Sequence, residues 1–227
     1  MFSSLRLRLA ALICLAVCSV SMAADKPRVL ILGDSISIGY TPYVQKMMEG
    51  EAIVKRPMRA NGQRAENCSG TTYGVENVER WLKIDGGDWD VIHFNWGLHD
   101  MKREDPKTKK PSRNPDHPRQ ADVETYEKQL RAIVKKLQQS DAKLIFCTTT
   151  PVPTGVSPHR DTTDPAKYNT AALKIMKEHD IAVDDLYTFA NSRLDDIQRP
   201  NNVHFTPDGS KTLAEEVVKS IREALEK

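Results

Sequence analysis

Short apolar runs alternate along the chain with longer stretches in which apolar residues recur at three- and four-residue spacing. Residues 28–32, 52–58, 90–95, 143–148 and 181–183 read as strands, the third and fourth most clearly. Between them, Val75, Val78, Trp81 and Leu82 share one helical face, as do Leu130, Ile133, Val134 and Leu137, and later Leu213, Val217, Val218 and Ile221. Pro207 and Asp208 open that last helix; a proline is tolerated in a first turn because its missing N–H has no intrahelical partner there. Steady alternation of strand and helix predicts an α/β fold, a single doubly wound three-layer α/β/α domain. Its five-stranded parallel sheet is expected in the flavodoxin-like order 2-1-3-4-5. Ligands in such sheets bind beyond the carboxyl ends of strands 1 and 3, so a site is expected just after Leu32 and just after Asn95.

Two segments break the pattern. Residues 102–120 are rich in Lys, Arg, Asp and Pro without apolar periodicity, and residues 151–165 form a second loop after a strand end. Both are expected to overhang the rim that carries the site, either as solvated connections or as a lid that grips substrate.

The N-terminus changes the picture of the compartment. Arg6 and Arg8 precede an apolar segment, residues 9–20, too short to span a bilayer, and Ser21 and Ala23 supply small residues for a cleavage near Ala23. Residues 1–23 therefore read as an export signal and 24–227 as the mature domain, periplasmic or extracellular, with no stable membrane insertion and a monomer as the default. The chain holds 33 basic and 31 acidic side chains. Arg6 and Arg8 account for the whole excess, so the mature domain is neutral and has nothing to attract nucleic acid. Of the cysteines, Cys68 and Cys147 stay after cleavage, as one disulfide or as two buried thiols.

Candidate chemistry falls where the sheet rule places it. Gly33-Asp34-Ser35 follows the first strand, where a serine at a tight turn into a helix can present its hydroxyl and use its own N–H as an oxyanion donor. Asn95-Trp96-Gly97-Leu98-His99-Asp100 follows the third strand. Near the C-terminus, His204 sits between Val203 and Phe205 ahead of the last helix, and an imidazole is suited to remove a serine proton near neutral pH. A metal centre built from Asp34, His99, Asp100 and His204 has no HxxxH or CxxC spacing behind it, and no metal or other cofactor is required.

With these segments the chain resembles the SGNH hydrolases, also called the GDSL esterase and lipase family. Gly33-Asp34-Ser35-Ile36 looks like the first block of that family, Ser69-Gly70-Thr71-Thr72 with Gly74 like the second, Gly97-Leu98-His99-Asp100 like the third, and His204 before Phe205-Thr206 like the last. The resemblance implies Ser35 as nucleophile, His204 as base, and the Ser35 and Gly70 N–H groups as oxyanion donors. His99 stands where the family has an asparagine donor, with Asn95 or a backbone N–H as the competing possibility. Asn201 stands where the family has the acid; its amide oxygen, a backbone carbonyl, or Asp195 or Asp196 would orient His204. Asp34, Asn95, Trp96 and Asp100 are candidates for substrate contact, as are His159 and Arg160 of the second loop. The expected activity is hydrolysis of short acyl esters, notably acetyl esters of carbohydrates. A lysophospholipase or thioesterase, or a weakened glycan- or lipid-binding relative, is the alternative.

Overall fold

The computed structural model describes residues 25–226; the expected export segment lies outside the described residues. Five strands, β1 (Arg28–Leu32), β2 (Ile53–Lys55), β3 (Val91–Phe94), β4 (Lys143–Cys147) and β5 (Ala182–Asp184), form one sheet in the order β2-β1-β3-β4-β5. Every neighbouring pair is parallel, so the doubly wound order read from the sequence is the order observed.

Strand alternation divides the core into two layers. Leu30, Leu32, Ile92, Phe94 and Phe146 face α2 (Thr71–Leu82), α3 (Val123–Leu137) and α4 (Asp164–Glu178). Val29, Ile31, Val91, Ile145 and Cys147 face α1 (Ser35–Met47), α5 (Leu186–Asn191) and α7 (Pro207–Glu226). A short helix, α6 (Leu194–Ile197), joins the last two. Each fully buried aliphatic side chain contributes about 1.5–3 kcal/mol to holding these layers on the sheet. Cys68 and Cys147 are free and belong to opposite layers, so the sheet separates them and the two-thiol alternative holds. Burial pushes the Cys68 thiol up to about 12.

Two details differ from the sequence pattern. The second strand stops at Lys55 rather than running to Met58, because Pro57 lacks a ladder N–H and Arg56 turns inward. In α2, Val75 is exposed; the buried face is Thr71, Gly74, Val78 and Trp81, with a glycine where a side chain would meet Trp96 and Ile133. Helices α1 and α4, not singled out by periodicity, complete the alternation. No helix among the described residues is long and apolar enough to cross a membrane.

Candidate active site

Ser35 is the first residue of α1, and its position follows from three local restraints. Asp34 caps the helix by accepting the Ile36 N–H at 2.9 Å. Gly33 packs where a Cβ would stand 2.8 Å from Ser37 Oγ, and its carbonyl accepts from Cys68 N–H at 3.1 Å. Beneath the turn, the buried Arg56 guanidinium donates to Ser37, Thr41, the Gly33 carbonyl and the Glu66 carbonyl.

His204 Nε2 lies 2.8 Å from Ser35 Oγ, although 169 residues separate them. Val203 anchors one side of the histidine in the first core layer and Phe205 the other side in the second. The atom on Nδ1 is Oδ1 of Asn202, at 2.7 Å. That same oxygen accepts the His204 backbone N–H at 2.9 Å, which identifies it as the acceptor end of the amide. Nδ1 therefore carries the proton, and the lone pair of Nε2 faces the Ser35 hydroxyl. Asn201, expected to do this work, is exposed and has φ +53°, a left-handed turn that carries its side chain toward Gly155. Asp195 and Asp196 are exposed on α6 and make no bond to His204. Burial lowers the His204 pKa from its ordinary value, with Asp34 opposing the shift.

On the other side of Ser35, His99 Nδ1 lies 3.4 Å from Lys102 Nζ and 3.4 Å from Ser69 Oγ. An ammonium group can only donate, so Nδ1 is the acceptor and the proton of a neutral His99 sits on Nε2. The ring is held neutral: burial first, then Lys102, Arg160 and His204, lower its pKa to about 3. Gly70 caps α2, and Asp100 Oδ1 takes the next N–H, that of Thr71, at 2.7 Å. The two helix starts match in design. In each a carboxylate binds the N–H beyond the residue of interest, and neither Ser35 N–H nor Gly70 N–H meets a protein acceptor among the described residues.

Ser35 and His204 border two cavities, one of about 270 Å³ toward Tyr43 and Phe205. The other, about 550 Å³, reaches His99, Lys102 and Arg160 beneath the two loops.

The GDSL-like Lipase/Acylhydrolase family model matches residues 31–212. The chain belongs to that family. The fold agrees: a lipase/acylhydrolase from Enterococcus faecalis superposes with a TM-score of 0.68 at 18% identity, covering 87% of this chain and 96% of that one. An acetyl xylan esterase, AlAXEase, gives 0.65 at 16% identity with 86% and 99% covered. A carbohydrate esterase family 3 protein from Talaromyces cellulolyticus gives 0.63 at 16% identity with 88% and 99% covered. No curated protein matches the chain in sequence.

In this GDSL-like hydrolase, four residues expected to touch substrate are instead committed to the scaffold. Asn95 donates its amide to the Cys147 carbonyl and Thr149 Oγ1, which also removes it as a rival to His99. Trp96 is buried and donates Nε1 to the Cys68 carbonyl. Asp100, fully buried, binds Thr71 through its N–H and its hydroxyl, and burial pushes its carboxyl up to about 6 against those bonds. Asp34 is the cap already described, 3% exposed, with burial raising its pKa. Each sits within three residues of Ser35 or on the His99 loop, and sequence proximity does not distinguish a wall from its foundation.

Of the second-loop candidates, His159 pairs with Asp161 at 3.1 Å, while Arg160 enters the larger cavity. Asn202, Lys102 and Arg56 were not singled out; the one sequence signal for Asn202 is its position two residues before His204. Asp34, His99, Asp100 and His204 do not gather around one point for a metal. The one group among the described residues with ligand atoms within 4.8 Å of each other is His93, Cys147 and Asp184, buried in the α1 and α7 layer. There His93 Nε2 already meets Asp184 Oδ2 at 2.8 Å.

Proposed function

We propose that this protein is a serine esterase that hydrolyses carboxylic esters through an acyl-Ser35 intermediate, with short acyl esters of carbohydrates as substrates. The observation that carries the reading is the Asn202–His204–Ser35 chain, whose tautomer leaves Nε2 ready to accept the serine proton. As Ser35 Oγ attacks the ester carbonyl, its proton passes to His204 Nε2, and the carbonyl oxygen takes the negative charge. Ser35 N–H, Gly70 N–H and His99 Nε2–H stabilise that charge, each such donor being worth about 3 kcal/mol in comparable sites. Collapse breaks the bond to the alcohol oxygen, which leaves with the proton held by His204. Water then attacks the acyl-enzyme by the same route and restores Ser35.

A short acyl group on a polar alcohol is supported by the cavity walls, where Asn67, His99, Lys102, Arg160 and Asn202 accompany the nucleophile. Two structural neighbours are named as an acetyl xylan esterase and a carbohydrate esterase. The export signal read at residues 1–23 fits action on a substrate outside the cytoplasm. Ser35→Ala is expected to reduce release of 4-nitrophenol from its acetate ester by several powers of ten with an unchanged thermal transition. A fluorophosphonate should label the parent protein and not the variant. Undiminished hydrolysis by Ser35→Ala would rule the assignment out.

A further inference from the structure

The cations around the larger cavity fall into two groups. Arg103 and Arg119 are paired with Asp161, Arg119 also with Asp164, and His159 with Asp161. Lys102 and Arg160 have no such partner: among the described residues neither lies within 4.0 Å of a carboxylate oxygen, and no Asp or Glu lines the cavity that both enter. Arg160 is 7% exposed. Its Nε donates to the Leu98 carbonyl at 2.7 Å and Nη1 to the Pro158 carbonyl at 3.2 Å, so one edge is fixed to the wall while Nη2 meets no acceptor among the described residues. Burial lowers its pKa to about 10, and Asp34, itself buried, is the charge that opposes the shift. Lys102 is half-buried, and its one hydrogen-bond contact among the described residues is the neutral His99 ring. Burial lowers the Lys102 pKa with Glu104 and Asp100 opposing, as Asp34 does for Arg160, yet no carboxylate bonds to either cation; a desolvated cation without a bonded countercharge is costly to the fold, and the cost is relieved when an anion binds beside it.

We infer, building on the esterase reading, that Lys102 and Arg160 form an anion subsite beside Ser35, and that the preferred substrate is the ester of an acidic sugar whose carboxylate binds there. The larger cavity, at about 550 Å³, has room for a sugar ring against the two cations. Short acyl chemistry on the sugar and a carboxylate on the same ring then satisfy the two features of the site together.

The test compares two acetyl esters that differ only in charge, monoacetylated methyl glucuronoside and the equally acetylated methyl glucoside, alongside 4-nitrophenyl acetate. The acidic ester is expected to show a kcat/KM about tenfold or more above its neutral twin. That preference should shrink as ionic strength rises from about 0.05 to 0.5 M. Lys102→Met should bring the two values together by lowering the acidic ester's kcat/KM further than the neutral one's. Because the preference and its salt dependence are read on the parent protein, the test stands even if the variant folds poorly. Equal hydrolysis of both twins by the parent overturns the subsite and leaves the esterase intact. An equal loss on both twins in Lys102→Met also overturns it, assigning the lysine to the positioning of the His99 ring alone. A glycerol phosphate acetate preferred over both sugars overturns the acidic-sugar assignment in favour of a phosphate ligand. Failure to hydrolyse any of these esters, 4-nitrophenyl acetate included, overturns the esterase reading and the subsite with it.

Discussion

At the residue scale, the feature that sets this site apart is an amide where a carboxylate is usual. Asn202 Oδ1 fixes the His204 tautomer by accepting Nδ1–H, yet it adds no negative charge to stabilise the imidazolium that forms when the serine proton moves. Burial holds the His204 pKa below its ordinary value. A base is active in its neutral form, so turnover is expected to persist on acidification until pH falls through that lowered pKa, placing the acid limb below about 6.5. Asn202→Asp adds a charge that favours the imidazolium, and the acid limb of kcat/KM should move up by about one unit. A pH–rate profile of the two proteins checks this; an unmoved limb would mean that His204 is not the titrating base.

At the scale of elements, the site is held by loops that follow strand ends and by the starts of two helices. The loop after β3 illustrates how closely it is fitted. Gly97 has φ +148°, and a Cβ there would collide with Thr149 Oγ1, while the neighbouring Trp96 carbonyl accepts from Tyr126 and Thr149. Gly97→Ala combines backbone strain with that collision, at a cost of about 2 kcal/mol or more. Calorimetry should record a fall in Tm of about 5 °C, together with reduced kcat because His99 lies two residues on. The elements themselves were largely legible in the sequence: β1 and β4 are apolar runs after one charged residue, β3 is apolar but for the buried His93, and α3 and α7 carry helical spacing. Their edges were less so, since the end of β2 depends on Pro57 and on where Arg56 finds its partners.

At the scale of the whole molecule, the two irregular segments form one structure over the sheet rim. Arg103 N–H donates to the His159 carbonyl at 2.9 Å and His159 N–H to the Ser112 carbonyl at 2.8 Å. Asp161 then joins Arg103, Arg119 and His159, and Asp164 at the start of α4 takes Arg119 in two bonds. The alternatives of solvated connection and lid give way to a braced wall, for a loop rich in lysine and arginine is ordered once its charges meet acceptors from elsewhere in the chain. Asp161→Ala leaves Arg103 and Arg119 with fewer partners and is expected to cost about 1–2 kcal/mol. Limited proteolysis should then cut faster within residues 102–120, and KM should rise more than kcat falls. Unchanged protection of that segment would show that the ion pairs are dispensable to the wall.

Periodicity was enough to read the alternation of strands and helices and the rim where a site belongs, and the resemblance of four short blocks to a known family pointed to Ser35 and His204 as partners. Spacing of apolar residues and short motifs are local properties, so both are visible along the chain before it folds. Which amide serves His204 became visible in the folded chain, where the left-handed backbone at Asn201 sends that side chain away and lets Asn202 fold back. The tertiary structure also decided that Asn95, Trp96 and Asp100 support the site from behind while Lys102 and Arg160 face it. Whether a polar side chain is spent inside the fold or left free for a ligand depends on partners distant in sequence, Cys147, Cys68 and Thr71 for the first three.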